Sequence, residues 1–104
     1  MTSNDPIKIS KTEFFILQLL LREGSDLYGL EMIRKSNNKL KRGTIYTTLT
    51  RMEDKGIIKS KKEKYIQPGL TAKRRMYTIS GTGVTASQYF QSQILDIIGG
   101  VSYG

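Results

Sequence analysis

The segment from Phe14 to Leu21 constrains the fold of this chain most strongly, because seven of its eight residues are apolar. Ser10 and Glu13, just before it, have the spacing of a capping box, which predicts a helix that begins here and ends near Gly24. One stripe of an amphipathic helix cannot hold seven apolar side chains. A second side of this helix must therefore be covered, either by another subunit or by the C-terminal helix of the same chain.

The charge balance points to a polyanionic partner. The 104 residues allow one domain with a modest core, and 17 Lys and Arg against nine Asp and Glu give a net charge of +8. Such an excess favours DNA, RNA or an acidic membrane surface, although many basic proteins are merely soluble.

The missing residue types exclude several kinds of chemistry. His and Cys are both absent, which rules out disulfides, thiol catalysis and His-based metal or acid–base sites. No cluster of acids suggests a metal site made of carboxylates, and no activated-nucleophile pattern is present. We therefore expect neither an enzyme nor a cofactor, and no catalytic or metal-binding residue.

Nothing in the sequence predicts export or membrane insertion. The N-terminal segment is polar and lacks the apolar core of a signal peptide. No apolar run approaches the roughly 20 residues that span a bilayer. We expect a cytoplasmic, nucleoid-associated protein without a membrane partner.

Two further helices are predicted before the middle of the chain. The first covers about residues 27–36, with Leu27, Leu30 and Ile33 facing inward, and Leu40 then anchors the next turn in the core.

The second of these helices covers about residues 43–55 and ends at Gly56. At about 100° per residue, Ile45, Leu49 and Met52 lie within roughly 40° of one another and form a buried stripe. The opposite side is short, hydroxylated and basic, and consists of Thr44, Thr47 and Arg51, flanked by Thr48 and Thr50.

The second half of the chain predicts a hairpin and a last helix. A strand begins at Ile57, turns at Pro68-Gly69 and returns over residues 75–79. Ser80 can cap a helix over about residues 81–98, which the glycines at 99 and 100 are expected to stop.

This order of elements is that of a winged helix-turn-helix protein. The predicted fold is mainly α with a small antiparallel β-hairpin: a three-helix core, the hairpin as wing, and a C-terminal dimerisation helix. We expect a flexible arm over residues 1–9, the winged-helix domain over 10–80, the dimerisation helix over 81–98 and a tail over 99–104.

In this fold the third helix enters the major groove of double-stranded DNA, and the wing contacts the neighbouring backbone. The DNA contacts predicted for the third helix and the two residues before it are Lys41, Arg42, Thr44, Tyr46, Thr47, Thr48 and Arg51. Those from the wing are Lys62, Lys64, Lys73, Arg74 and Arg75, with the last three favoured because they follow the loop tip. The simpler alternatives are a solvated helix face and charges that only keep an exposed hairpin soluble.

Three segments resemble the motifs of PadR-family transcriptional regulators. They are residues 27–33 (LYGLEMI), residues 43–58 (GTIYTTLTRMEDKGII) and residues 73–83 (KRRMYTISGTG). The middle motif is the most specific, and the resemblance covers about residues 10–95 of a short member with a single C-terminal helix.

The resemblance implies a homodimer that represses transcription by binding an inverted-repeat operator, with one recognition helix in each half-site. It also implies dimerisation through the first and last helices, with a small hydrophobic effector at the interface in some members. The expected interface residues are Phe15, Leu19, Tyr89, Phe90, Ile94, Ile97 and Ile98. The alternative function is a winged-helix adaptor that binds another protein without specific DNA readout.

Overall fold

The computed structural model describes residues 7–24, 26–67 and 70–103, without the side chains of residues 65–67, 70–73 and 98–103. This part of the chain folds into helices and one antiparallel sheet, in the order α1 (Lys11–Glu23), β1 (Leu27–Tyr28), α2 (Gly29–Lys35), α3 (Arg42–Asp54), β2 (Ile58–Gln67), β3 (Leu70–Ile79) and α4 (Gly81–Tyr103). The sheet has the strand order β1-β3-β2, and the mainly helical winged-helix fold is confirmed.

Both ends of α1 are closed as the sequence predicts. The Ser10 side chain accepts from the backbone N–H of Glu13 at 3.1 Å, and the Glu13 carboxylate accepts from the N–H of Ser10 at 2.8 Å. Gly24 has the left-handed φ of 66° and its N–H donates to the carbonyl of Leu20. The capping box and the glycine stop are therefore confirmed.

The second side of α1 is covered, at least in part, by α4 of the same chain. The Phe14 ring stacks on Phe90 with 4.6 Å between the ring centroids, and Gln18 Nε2 donates to Ser87 Oγ at 2.7 Å. The first half of α4 thus covers part of the second side of α1, which is one of the two alternatives that the sequence left open.

The segment around Tyr28 differs from the predicted second helix. Leu27 and Tyr28 form a short strand that pairs with β3, and α2 begins only at Gly29. The Glu31 carboxylate caps it by accepting from the N–H of Tyr28 at 2.8 Å. Sheet pairing replaces the first helical turn here, because a second strand offers partners for this backbone.

The later start of α2 also changes which side chains face the core. Leu30 was expected inside but is 48% exposed, whereas Met32 is fully buried. Gly29 is buried against α3, and Leu30 lies about 100° further round the helix, at the edge of the inward side. Leu40 is buried as expected.

Helix α3 matches its prediction closely. Ile45, Leu49 and Met52 are buried at 2% exposure or less, and Gly56 takes a φ of 77° just beyond the helix. The helix therefore packs one apolar side against the core and exposes the opposite side to solvent.

The hairpin is longer and more regular than the sequence indicated. Its register runs from Ile58↔Ile79 to Gln67↔Leu70, so β3 begins five residues before the expected return at Arg75. The predicted turn at Pro68-Gly69 lies outside the described residues.

Helix α4 begins where predicted but continues beyond its predicted end. Ser80 Oγ accepts from the N–H of Gly83 at 3.0 Å and caps the helix. The helix then passes through Gly99 and Gly100 to Tyr103, so the expected tail is helical over most of its length. Glycine lowers helix stability by about 1 kcal/mol relative to alanine but, unlike proline, removes no hydrogen bond.

Part of the predicted N-terminal arm packs against the core. Ile7 and Ile9 are partly buried against the core, while residues 1–6 lie outside the described part. No helix in the described part of the chain has the length and apolar character needed to cross a bilayer.

The core lies where α1, α2 and α3 meet the inner part of the sheet. Its most deeply buried apolar members are Ile16, Leu17, Leu19, Met32, Ile45, Leu49, Met52, Ile57 and Ile58. This packing holds α3 against the body and leaves the wing projecting from it.

Candidate nucleic-acid interface

The outward side of α3 consists of exposed short or basic side chains. Thr44, Thr47 and Arg51 are exposed, and their side chains make no hydrogen bond or ion pair within the described part of the chain. Their hydroxyl and guanidinium donors are thus available to phosphates or base edges, as the sequence predicts.

The two flanking threonines are less available. Thr48 Oγ1 donates to the carbonyl of Thr44 at 3.1 Å, and Thr50 Oγ1 donates to that of Tyr46 at 2.9 Å. These hydroxyls can still accept a hydrogen bond, but their donor is used by the helix. Thr48 therefore suits a phosphate oxygen less well than Thr47 does.

The residues at the N-terminal end of α3 are positively charged, and positive charge destabilises the N-terminus of a helix. Lys41 is the N-cap without a side-chain cap bond, Arg42 follows it, and the first turn contains no acid. Cations here oppose the helix macrodipole, whereas an anion is favoured at the same end. The exposed Lys41 and Arg42 thus concentrate positive charge at this end of the helix, at a cost in helix stability.

Tyr46 lies beside this face, where α2 and α3 come closest. A Cβ at Gly29 would overlap the end of the Tyr46 ring, so any larger residue there would require the Tyr46 side chain to move. Tyr46 is 43% exposed and lines a cleft of about 340 Å³ with Arg34, Arg74 and Arg75 among its other walls.

The wing is connected to the end of α3 through a hydroxyl group. Arg75 Nη1 donates to Ser60 Oγ at 2.9 Å, and Ser60 Oγ donates to Glu53 Oε2 at 2.6 Å. Burial raises the pKa of the Tyr77 hydroxyl, which the register places opposite Ser60, while the charge of Arg75 lowers it. Arg75 is therefore half-buried and oriented by the protein before any ligand arrives.

Arg74 is held on the other face of the wing. Its guanidinium lies 3.5 Å from the centroid of the Tyr28 ring, and the Tyr28 O–H donates to Glu63 Oε1 at 2.9 Å. This hydrogen bond to Glu63 raises the pKa of the Tyr28 hydroxyl, and the interaction with Arg74 lowers it. The side chain of Lys73, the third favoured wing residue, lies outside the described part.

Sequence reasoning missed the residues that orient these arginines. Glu53, Ser60, Glu63 and Tyr28 were not singled out, because their partners are set by tertiary contacts and strand register. The one available signal was the presence of acids inside otherwise basic segments.

The expected dimer residues divide into buried and exposed groups. Leu19 is 1% exposed and belongs to the core of its own chain, so its assignment to an interface is wrong. Phe15 packs against the same core and Phe90 stacks on Phe14. Tyr89, Ile94 and Ile97 are 42%, 38% and 70% exposed, and Leu95, which was not predicted, is 57% exposed. The side chain of Ile98 lies outside the described part.

A second cleft, of about 290 Å³, lies between the N-terminal segment and α4. Its lining includes Ile7, Lys8, Tyr89, Phe90 and Gln93. In the described residues, no group of three or more acids could hold a metal ion.

Comparison with known proteins identifies relatives of this arrangement. No curated protein matches the chain. Among solved structures, a PadR family transcription regulator from Clostridium difficile is 28% identical, with a TM-score of 0.69, over 88% of this chain and 94% of its own. A PadR-like transcriptional regulator from Bacillus cereus is 24% identical, with a TM-score of 0.65, over 88% and 87%.

Bacillus subtilis PadR, whose structure was solved in complex with operator DNA, is 24% identical with a TM-score of 0.64. The match covers 84% of this chain and 48% of that longer chain. The model of the transcriptional regulator PadR-like family matches residues 16–88, which include most of α1, all of α2 and α3, the wing and the start of α4. The chain therefore belongs to the PadR-like family of transcriptional regulators.

Proposed function

We propose that this protein is a transcriptional repressor that binds an inverted-repeat operator as a homodimer, with one α3 helix in the major groove of each half-site. The observation that carries the proposal is the outward side of α3. Thr44, Thr47 and Arg51 are exposed without partners in the described part of the chain, while the opposite side is buried. Short hydroxyl side chains and an arginine on such a face can approach phosphates and base edges closely.

The charges around α3 support the same proposal. Lys41 and Arg42 stand at its N-terminal end, and the wing adds Lys62, Lys64, Lys73 and Arg75. Phosphate neutralisation by such residues releases counterions and makes affinity fall with salt. The structure of the Bacillus subtilis relative in complex with operator DNA supports this proposal.

Dimerisation is proposed to use the second half of α4, where every side chain over residues 91–97 is exposed. Tyr89, Ile94, Leu95 and Ile97 are each at least 38% exposed, and an exposed cluster of apolar side chains favours a protein partner. Two protomers joined here would present two α3 helices, which inverted half-sites about one DNA turn apart require.

A small hydrophobic effector is the least constrained part of the proposal. The cleft between the N-terminal segment and α4 has a volume of about 290 Å³, near the lower limit of about 300 Å³ for small-molecule sites. Its position beside the proposed dimer helix supports an effect of such a compound on the dimer.

Footprinting of the purified protein on the DNA upstream of its own gene tests the proposal. We expect a protected region with two-fold symmetry, and an occupancy that falls as salt is raised. A protein that protects no inverted repeat there or across the genome would contradict it.

A further inference from the structure

The strand register divides the charges of the wing, the β2–β3 hairpin, between its two faces. Residues directly opposite each other in an antiparallel pair project from the same face, and faces alternate along each strand. Lys62 pairs with Arg75 and Lys64 with Lys73. These four residues share one face, which we call the Lys62 face, and all of them are cations.

The other face, which we call the Lys61 face, is mixed and internally paired. Here Lys61 lies opposite Met76, and Glu63 lies opposite Arg74. Lys61 Nζ is 4.0 Å from Glu63 Oε2, Glu63 accepts from Tyr28, and Arg74 lies over the Tyr28 ring. The charges of Lys61, Glu63 and Arg74 on this face therefore have partners in the free protein.

The Lys62 face carries no acid of its own, and among its described cations only Arg75 is held, by Ser60 and through it by Glu53 of α3. Side chains directly opposite each other have their Cβ atoms about 4.5–5.5 Å apart, where like charges destabilise a strand pair. This separation is shorter than the Debye length of about 8 Å at physiological salt, so screening removes only part of the repulsion. Lys62 and Lys64 are exposed and form no ion pair in the described part of the chain. A polyanion would relieve this repulsion.

The Lys62 face is joined to the body of the protein at its base. Ser60 lies on this face and donates to Glu53 near the end of α3. Lys62 and Lys64 follow Ser60 at about 7 and about 13 Å along the strand, at about 3.3 Å per residue. These two cations therefore lie on the projecting part of the wing, beyond its contact with α3.

We propose that Lys62, Lys64, Lys73 and Arg75 form the phosphate-binding face of the wing, and that Arg74, Lys59 and Lys61 make no DNA contact. Arg74 acts instead as a structural residue that joins β1 to the wing through Tyr28. This assignment rests on the proposed DNA-binding function and specifies which wing cations carry it.

Two double variants on the same strand test the assignment. One is Lys62→Gln with Lys64→Gln, and its matched control is Lys59→Gln with Lys61→Gln, which removes the same charge from the other face. Binding to a labelled mixed-sequence duplex of about 30 base pairs, roughly three helical turns, is measured by fluorescence anisotropy. The salt concentration is varied from about 50 to about 200 mM, where counterion release dominates the change in affinity.

We expect the Lys62–Lys64 variant to lower the slope of log affinity against log salt by about 1.8, at about 0.9 per lost phosphate contact. The control is expected to keep the wild-type slope. Equal slopes in the two variants, or a larger loss in the control, would overturn the assignment while DNA binding itself stands. A wild-type protein that binds no duplex would instead refute the proposed function and this assignment with it.

The melting temperature of the free protein provides a readout that needs no DNA. At low salt, Lys62→Gln is expected to raise it, because the repulsion between Lys62 and Arg75 on the Lys62 face is removed. Lys61→Gln removes a weak surface pair with Glu63 and is expected to leave it unchanged or slightly lower. The opposite order of the two melting temperatures would show that the Lys62 face is not under repulsion.

Discussion

Nζ of Lys55, just after the last turn of α3, lies 2.8 Å from Oε1 of Glu13 at the start of α1. Glu13 is 1% exposed, and its Oε2 atom has no hydrogen-bond partner in the described part of the chain. Lys55 Nζ also donates to the carbonyl of Lys8 at 3.1 Å. One ammonium group thus connects the end of the candidate recognition helix to the first helix and to the segment before it.

Lys55→Met is expected to destabilise the fold, because it leaves the Glu13 carboxylate buried without a counter-charge. Loss of one partner of a fully buried pair costs about 3–5 kcal/mol. We expect about 2 kcal/mol here, since the Lys55 side chain is 29% exposed and water can enter as it leaves. Denaturant unfolding measures the change, with Lys55→Arg as the control that keeps the charge. Equal stability of the methionine and wild-type proteins would contradict this role of the pair.

Gly83→Ala is expected to disturb the junction of α3, the wing and α4. A Cβ at Gly83 would overlap the carbonyl oxygen of Ile57, a backbone atom that cannot rotate away. Overpacking of this kind costs about 1–3 kcal/mol. The matched control is Gly81→Ala, where a Cβ would meet nothing within 4 Å. If the melting temperature of Gly83→Ala is equal to or higher than that of Gly81→Ala, the backbone at Ile57 must move to accommodate the added methyl group.

Arg51→Ala is expected to weaken binding to the footprinted operator by about 1–3 kcal/mol, the range for loss of a bidentate base contact. Thr47→Ala is expected to weaken it less, since one hydroxyl donor is lost. Thr85→Ala, an exposed threonine on α4, serves as the control and is expected to bind normally. Gel-shift titration measures all three affinities. Wild-type affinity for both α3 variants would favour the adaptor function instead.

Ile94→Asp is expected to convert a dimer into monomers and to weaken operator binding. A carboxylate buried in an apolar interface is costly without a partner. Leu30→Asp is the control, because Leu30 is 48% exposed but lies on α2, away from α4. Sedimentation measures the molecular mass of both variants. A dimeric Ile94→Asp protein would exclude this part of α4 from the interface.

Short-range signals account for most of what the sequence predicted correctly. The capping box at Ser10 and Glu13, the glycine stop at Gly24 and the buried stripe of α3 each depend on residues within a few positions of one another. The motif over residues 43–58 carried the family resemblance, and the family model that includes it confirms this.

Predictions that depend on residues far apart in the chain were less successful. Leu19 was assigned to a subunit interface because its helix is apolar on two sides, but the core and α4 already cover it. Arg74 and Arg75 are adjacent in sequence and were treated alike. Their positions on opposite strand faces, with Tyr28 and Ser60 as their partners, follow only from the register and from contacts with β1 and α3.

The sequence by itself determined the order of the helices, their caps and the residue types displayed on α3, because these depend on local hydrogen bonding and helical periodicity. Only the tertiary structure decided that Leu27 and Tyr28 pair as a strand with β3, and which wing cations stand opposite one another. The physical reason is that pairing partners some 50 residues away compete with local preferences, and only the folded chain shows which interaction is more stable.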